Sequence, residues 1–183
     1  MTAERNIVAI VGMCGSGKSV VTGRFEALGY TRVYFGQVTM DELARQDLER
    51  NETNERRVRE ALRAKFGKAA FALKLLPKIT EAMKTSNVVI DGLYSWSEYK
   101  VLIDAFPQLK TIAVICDRAL RYERLSKREI RPFSAAEAQS RDYAEIENSE
   151  KGGPIAFADY MLLNDSTPEV LLDRLNQIIS RHF

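Results

Sequence analysis

Histidine is almost missing from this chain: the one copy, His182, is the penultimate residue. A Ser-His-Asp triad, a histidine metal cluster and a histidine general base are therefore close to excluded. Cysteine is scarce as well. Cys14 and Cys116 share no CxxC spacing, so the sequence encodes neither a disulfide framework nor a zinc site. No apolar run approaches the roughly 18 residues of a membrane span. The opening MTAERNIVAIVG reaches a glycine-rich loop too early for a cleavable signal peptide, and a cytoplasmic protein is expected. An excess of one charge is also lacking: 27 Lys and Arg face 25 Asp and Glu, a net charge of +2. No global field directs the chain to nucleic acid or to an anionic membrane, so any basic site must be local. What remains is an ordinary globular composition, 45% hydrophobic and 28% charged over 183 residues. That suffices for one core, and a single domain spanning 1–183 is expected.

Continuous apolar runs at Ile7–Val11, Val88–Ile90, Thr111–Cys116 and Tyr160–Leu163 read as short buried strands, with a weaker one at Arg32–Phe35. Helical patterns lie between them: Ser19–Leu28 closed by Gly29, a polar stretch Met40–Phe66, then Lys68–Lys84, Glu98–Ala105, Ala119–Lys127, Ser134–Glu147 and Glu169–Ile179. Thr167-Pro168-Glu169 supplies a cap, a proline at the first helical position and an acid in the first turn. Strand and helix alternate throughout. That pattern predicts an α/β fold, a parallel sheet with helices on both faces and ligand sites at the carboxyl ends of the strands. Residues 41–66 are too polar for a helix packed on a sheet face; they predict an exposed helical flap, or a solvated hairpin held by i,i+4 pairs.

Gly12-Met13-Cys14-Gly15-Ser16-Gly17-Lys18-Ser19 fits GxxxxGK[ST] directly after a strand pattern and directly before a helical one. Such a loop curls so that backbone N–H groups meet phosphate oxygens, and the helix beginning there adds the positive end of its dipole. Gly12, Gly15, Ser16, Gly17, Lys18, Ser19 and Val20 are thus candidates for binding a nucleotide. Lys18 would reach the outer phosphates and the Ser19 hydroxyl would bind Mg2+. Asp91, emerging at the end of Val88-Val89-Ile90, is the candidate Walker B acid for the same ion. Cys14 has no base near it in sequence and reads as a tolerated loop position.

P-loops serve kinases, switches and motors, and the rest of the chain must discriminate. A guanine switch needs an NKxD base reader, whereas the late strand is followed by Asn164-Asp165-Ser166. A motor ATPase usually carries a second acid after its Walker B Asp, whereas Asp91 is followed by Gly92. Phosphoryl transfer to an acceptor needs cations around a closed, dry site. Arg121, Arg124 and Arg128 recur at spacings of three and four, which predicts one helix face; Arg131 and Arg141 follow. A solvated arginine face is the competing reading.

The ordered set GMCGSGKS, FGQV, VVIDG, R-x-x-R-L-x-x-x-R from Arg121 to Arg128, Arg141-Asp142, and Ala158-Asp159-Tyr160 with Asn164 resembles the P-loop nucleoside monophosphate kinase group. Within it the likeness is greatest to dephospho-CoA kinases and archaeal adenylate-kinase-like proteins. The resemblance implies a three-layer kinase fold with a five-stranded parallel sheet, an acceptor-binding flap at about 36–66 and a short lid at about 128–141. It implies ATP as donor with Mg2+, with Arg124 near the adenine or the phosphates. Arg128, Arg131 and Arg141 would lie with Lys18 over the transferring phosphoryl group. The chain departs from the pattern at Gln37, where adenylate kinases carry Asp, at Met40, where they carry Arg, and at Tyr94, where an acceptor-gripping Arg is common. AMP is therefore disfavoured, although Arg56, Arg57, Arg59 and Arg63 could supply charge from another direction. Tyr94 and Trp96 are candidates to stack on an acceptor ring or a pantetheine-like chain, or to be plain packing. The expected activity is an ATP-dependent small-molecule kinase, a transferase acting on a hydroxyl or phosphate of a nucleotide-like acceptor. The alternative is a nucleotide-binding regulatory ATPase whose flap contacts a protein partner.

Overall fold

The computed structural model describes residues 5–130 and 132–183. Five strands, β1 (Ile7–Val11), β2 (Thr31–Tyr34), β3 (Val88–Asp91), β4 (Lys110–Ile115) and β5 (Tyr160–Leu163), form one parallel sheet in the order β2-β3-β1-β4-β5. In β1 all five side chains are fully buried, and alternate residues serve opposite faces. Ile7, Ala9 and Val11 join one hydrophobic cluster; Val8 and Ile10 join the other. That is why the central strand reads as an unbroken apolar run rather than an alternating one. β2 and β5 are the edges; the exposed Thr31 and Arg32 explain the weaker signal of β2, whereas β5 keeps its apolar run although Met161 and Leu163 are exposed.

Helix α1 (Lys18–Ala27) and the last helix (Pro168–His182) cover one face through Val21, Phe25, Leu171 and Leu175. Thr167 caps the latter, accepting from the Val170 N–H with Pro168 at its first turn. The other face carries α4 (Ala70–Ala82) and α5 (Trp96–Ala105), with Phe71, Leu75, Ile79 and Leu102 in the cluster.

The polar stretch expected to run from Met40 to Phe66 is two helices, α2 (Gln37–Arg45) and α3 (Glu52–Phe66). Asp47 breaks it with φ of 51°, and the Asn51 side chain caps α3 by accepting the Asn54 N–H at 2.9 Å. The flap is not merely solvated. Leu43, Val58 and Leu62 are buried in the cluster that contains Phe71 and Leu75, so one apolar stripe seats an otherwise charged hairpin.

Beyond β4 come α6 (Arg118–Ser126), α7 (Ala135–Glu147) and the short α8 (Gly152–Ala156), which the sequence pattern did not reveal. Ser134 and Glu137 form a capping box at the start of α7. Among the described residues no helix is long and apolar enough to cross a membrane.

Candidate functional site: a phosphate cleft joined to an arginine-lined pocket

The chain leaves β1 into the loop where the sheet order reverses, the place at which open α/β sheets bind ligands. The loop's glycines are required by its shape. Gly17 has φ of 95°, and a Cβ there would stand 2.2 Å from Asn164 Nδ2. Gly12 has φ of 144°, and its Cβ would meet the Val114 carbonyl at 2.6 Å. Two outside donors hold loop carbonyls: Asn164 Nδ2 on Ser16 O at 2.8 Å and Arg121 Nη1 on Cys14 O at 2.9 Å. Lys18 folds back to donate to Gly12 O at 2.9 Å and Met13 O at 3.0 Å. Burial, followed by the nearby Lys151 ammonium, lowers its pKa from 10.5 to about 8.

The cleft above this loop is open to solvent and brings together Gly15, Gly17, Lys18, Ser19, Asp91, Arg124, Arg128 and Arg141. Gly12, Ser16 and Val20 do not line it. The first two are buried beneath the loop, and Val20 is exposed on α1. Arg131 lies outside the described residues.

The arginine face expected from Arg121, Arg124 and Arg128 is not one face. Helix α6 ends at Ser126, so Arg128 follows it in the loop toward α7. Arg121 points inward, 6% exposed, in a bidentate pair with Asp142 at 2.9 and 2.6 Å. The i,i+3 spacing alone did not show that a carboxylate 21 positions away would claim it. Arg124 reaches Asn164 Oδ1 at 3.3 Å and Cys116 Sγ at 3.3 Å, on the rim of the cleft. Trp96 stacks on Tyr99 and meets Phe157 edge-on, so it is packing and not an acceptor surface. Tyr94 does reach the site: it is held edge-on by Phe35 and Phe71, and burial raises its hydroxyl pKa well above the usual value.

Two residues that the sequence reading passed over dominate the centre. Glu145 and Lys151, 5% and 2% exposed, pair at 2.8 Å. Glu145 Oε2 also accepts the Cys14 N–H of the P-loop at 3.1 Å, and Oε1 accepts Arg141 Nε at 3.0 Å. Burial alone would raise the Glu145 carboxyl; Lys151, Arg141 and Lys18 outweigh it and hold the group well below the usual carboxylate range. Arg141 continues to Glu52 at 2.8 Å, and Arg59 meets the same Glu52 oxygen at 2.7 Å, which ties α7 to the flap. The available signal was Arg141 and Glu145 at i,i+4 on one helix.

A second, narrow pocket opens under the flap between α2, α3 and α7. Its lining carries five cations, Arg56, Arg59, Arg63, Arg141 and Lys151, against two carboxylates, Glu60 and Glu145. Burial lowers the pKa of Arg59 and Arg63, which marks both as desolvated charges. Tyr34, Tyr94, Arg141, Glu145 and Lys151 line both this pocket and the P-loop cleft, so the two spaces share one wall.

Ser19 and Asp91 face the same cleft. One hydroxyl and one carboxylate suit Mg2+, a cation that keeps waters and takes much of its shell from phosphate oxygens. Among the described residues no group of three or more His, Cys, Asp or Glu could hold a metal unaided. Arg32 donates to Asp91 Oδ2, so this carboxylate already has a cation to exchange or share.

The parallel 2-3-1-4-5 sheet with a glycine-rich loop after its central strand defines a P-loop protein of kinase-like fold. A family model described as an AAA domain matches residues 8–152. Curated relatives include proteins from Thermococcus sibiricus, 36% identical over 87% of this chain and 86% of the relative, and from Aeropyrum pernix, 37% identical over 92% and 89%. Both are UPF0200 proteins, and this chain belongs to the UPF0200 family, within the AAA-domain group. Among solved structures, a shikimate kinase from Bacteroides thetaiotaomicron superposes with a TM-score of 0.62 at 15% identity, covering 96% of this chain and 98% of its own. A dephospho-CoA kinase from Campylobacter jejuni does so with 0.53 at 15%, covering 98% of each chain. At such identity the likeness shows the fold alone.

Proposed function

We propose that this protein is a single-domain small-molecule kinase that transfers the γ-phosphoryl group of ATP, with Mg2+, to a nucleotide-like acceptor. The observation that carries the reading is the shared wall: a P-loop cleft for a triphosphate and a separate cation-rich pocket meet at Tyr34, Tyr94, Arg141, Glu145 and Lys151. A protein that only binds or hydrolyses a nucleotide needs one such space. Positioning two reactants and stabilising spread negative charge account for most of the rate in phosphoryl transfer.

In this reading the P-loop N–H groups and Lys18 cradle the phosphates, and Ser19 and Asp91 hold the metal ion, which supplies charge neutralisation. Arg124 sits at the rim for the base or phosphates. Arg128 and Arg141, which line the cleft, stabilise the charge of the transferring group; the same role is proposed for Arg131. Arg59 and Arg63 take the acceptor, replacing contacts that Gln37, Met40 and Tyr94 do not provide, which disfavours AMP in the usual pose. The experiment is ADP release from ATP with and without an acceptor panel of nucleosides, nucleotides and dephospho-CoA. Acceptor-stimulated turnover supports a kinase. Turnover that no acceptor stimulates, but that a protein partner does, would favour the regulatory ATPase that the AAA-domain match keeps in view.

A further inference from the structure

The kinase reading leaves the acceptor open between an alcohol and a phosphate, and the shared wall discriminates between them. Of the carboxylates described there, Glu145 alone lines both spaces. Asp91 lies on the donor side with Arg32, Glu52 lines the cleft and not the acceptor pocket, and Glu60 lines the acceptor pocket and not the cleft. Glu145 is also placed at the mouth of the P-loop by its bond from the Cys14 N–H. Its Oε2 receives two donors, Cys14 N and Lys151 Nζ, whereas Oε1 receives Arg141 Nε. A carboxylate oxygen accepts two hydrogen bonds, which leaves Oε1 room for another donor.

An ionised phosphate oxygen brought to Glu145 Oε1 would meet a hydrogen-bond acceptor with no proton to give it, although Arg141 and Lys151 leave the shared wall net positive. An alcohol has the opposite fit: its O–H donates to the carboxylate and its lone pair is aimed at the phosphorus. The rest of the pocket nevertheless asks for an anion, with three more cations than carboxylates in its lining. The Nε of Arg63 is buried there with no partner among the described residues.

Resting on the kinase reading, we propose that the acceptor is an alcohol that carries its own anionic group, and that Glu145 is the catalytic residue that takes the hydroxyl proton. The anionic group lies on Arg59 and Arg63, and the hydroxyl is presented to Glu145 Oε1. The acceptor O–H bond breaks as its oxygen bonds to the γ-phosphorus, and the bond between that phosphorus and the β,γ-bridging oxygen breaks. The proton passes to Glu145 and then to solvent, and the electron pair leaves with ADP.

The test follows phosphoryl transfer from MgATP by 31P NMR, with shikimate, dephospho-CoA and adenosine as alcohols and AMP and CMP as phosphate acceptors. The expected product is a phosphate ester, coupled to carbon-bound protons, formed best from an alcohol that bears a carboxylate or phosphate. Glu145→Gln should lower kcat by about 10²-fold or more, the range for losing a positioned base, well beyond its effect on ATP Kd by calorimetry. A merely structural role would move both together. If the variant does not fold, the wild-type product still decides. An anhydride formed on AMP or CMP overturns the alcohol assignment and leaves the kinase reading standing. ATP binding without ester from any of the three alcohols overturns it too, as does a Gln variant within threefold of wild-type kcat. Failure to bind ATP at all removes the kinase reading beneath it.

Discussion

Replacing Asp142 by Ala should damage both the stability of the protein and the shape of its phosphate loop. Arg121 and Asp142 are 6% and 5% exposed, and their two charge-assisted bonds are 2.9 and 2.6 Å long. Burial works against the Arg121 charge, and Asp142 restores it. Removing the carboxylate leaves a guanidinium with little water and only Cys14 O as a fixed acceptor, and it also removes the acceptor to which the half-buried Tyr122 hydroxyl donates at 3.2 Å. Breaking one side of a buried pair typically costs about 3–5 kcal/mol. For a chain of this size 1 kcal/mol corresponds to about 2–4 °C, so the expected fall in Tm is roughly 6–20 °C. Thermal unfolding followed by circular dichroism measures it. Replacing both partners, Arg121→Met with Asp142→Leu, should recover much of the loss, because the stranded charge disappears with its partner. ATP affinity should stay weakened in that double variant, since the Cys14 carbonyl has lost its anchor. A single variant melting within 2 °C of wild type, or a double variant melting below the single, would refute the argument.

Lys18→Ala should leave the fold intact and reduce phosphoryl transfer by about 10²-fold or more, the cost of one strong transition-state contact; retention of a tenth of wild-type turnover would remove the P-loop from the mechanism. Gly17→Ala should weaken nucleotide binding at least tenfold, in line with about 1–2 kcal/mol for a left-handed non-glycine residue plus the Asn164 contact. Gly23→Ala, in mid-helix with nothing within 4 Å of the added Cβ, should instead stabilise by about 0.5–1 kcal/mol in urea melts. Glu98 is a pH probe. Burial raises its carboxyl from 4.5 to about 7, partly opposed by Arg63 and the Tyr94 N–H. The folded state therefore holds this proton more tightly, and the resulting stability is lost as pH rises from 4.5 to 7. Glu98→Gln should gain on wild type by about 3 kcal/mol between pH 4.5 and 8, and a constant difference across that range would contradict the full burial of Glu98, whose Oε1 has no hydrogen-bond partner among the described residues.

The strand–loop–helix unit at Ile7–Ala27 was legible in the sequence because everything that makes it is local. A strand buried on both faces must be apolar throughout, and a loop with three positive-φ positions packed against backbone, Leu125 and Asn164 must place glycine at 12, 15 and 17. The same holds for the 167–169 helix start and for β5, whose bounds match the apolar run. Helix ends and the split of the flap were less legible, since they depend on one left-handed residue, Asp47, and on a cap at Asn51. What only the tertiary structure decided is where the long-range charges went. Arg121 looked like part of a cationic face until Asp142 packed against it, and Glu145 and Lys151 carry no motif of their own. A lysine or glutamate at an unremarkable position becomes a buried pair only when α7 and the loop into α8 bring it against the P-loop. Desolvation, which gives such a pair its chemical meaning, is a property of the surroundings and not of the residue.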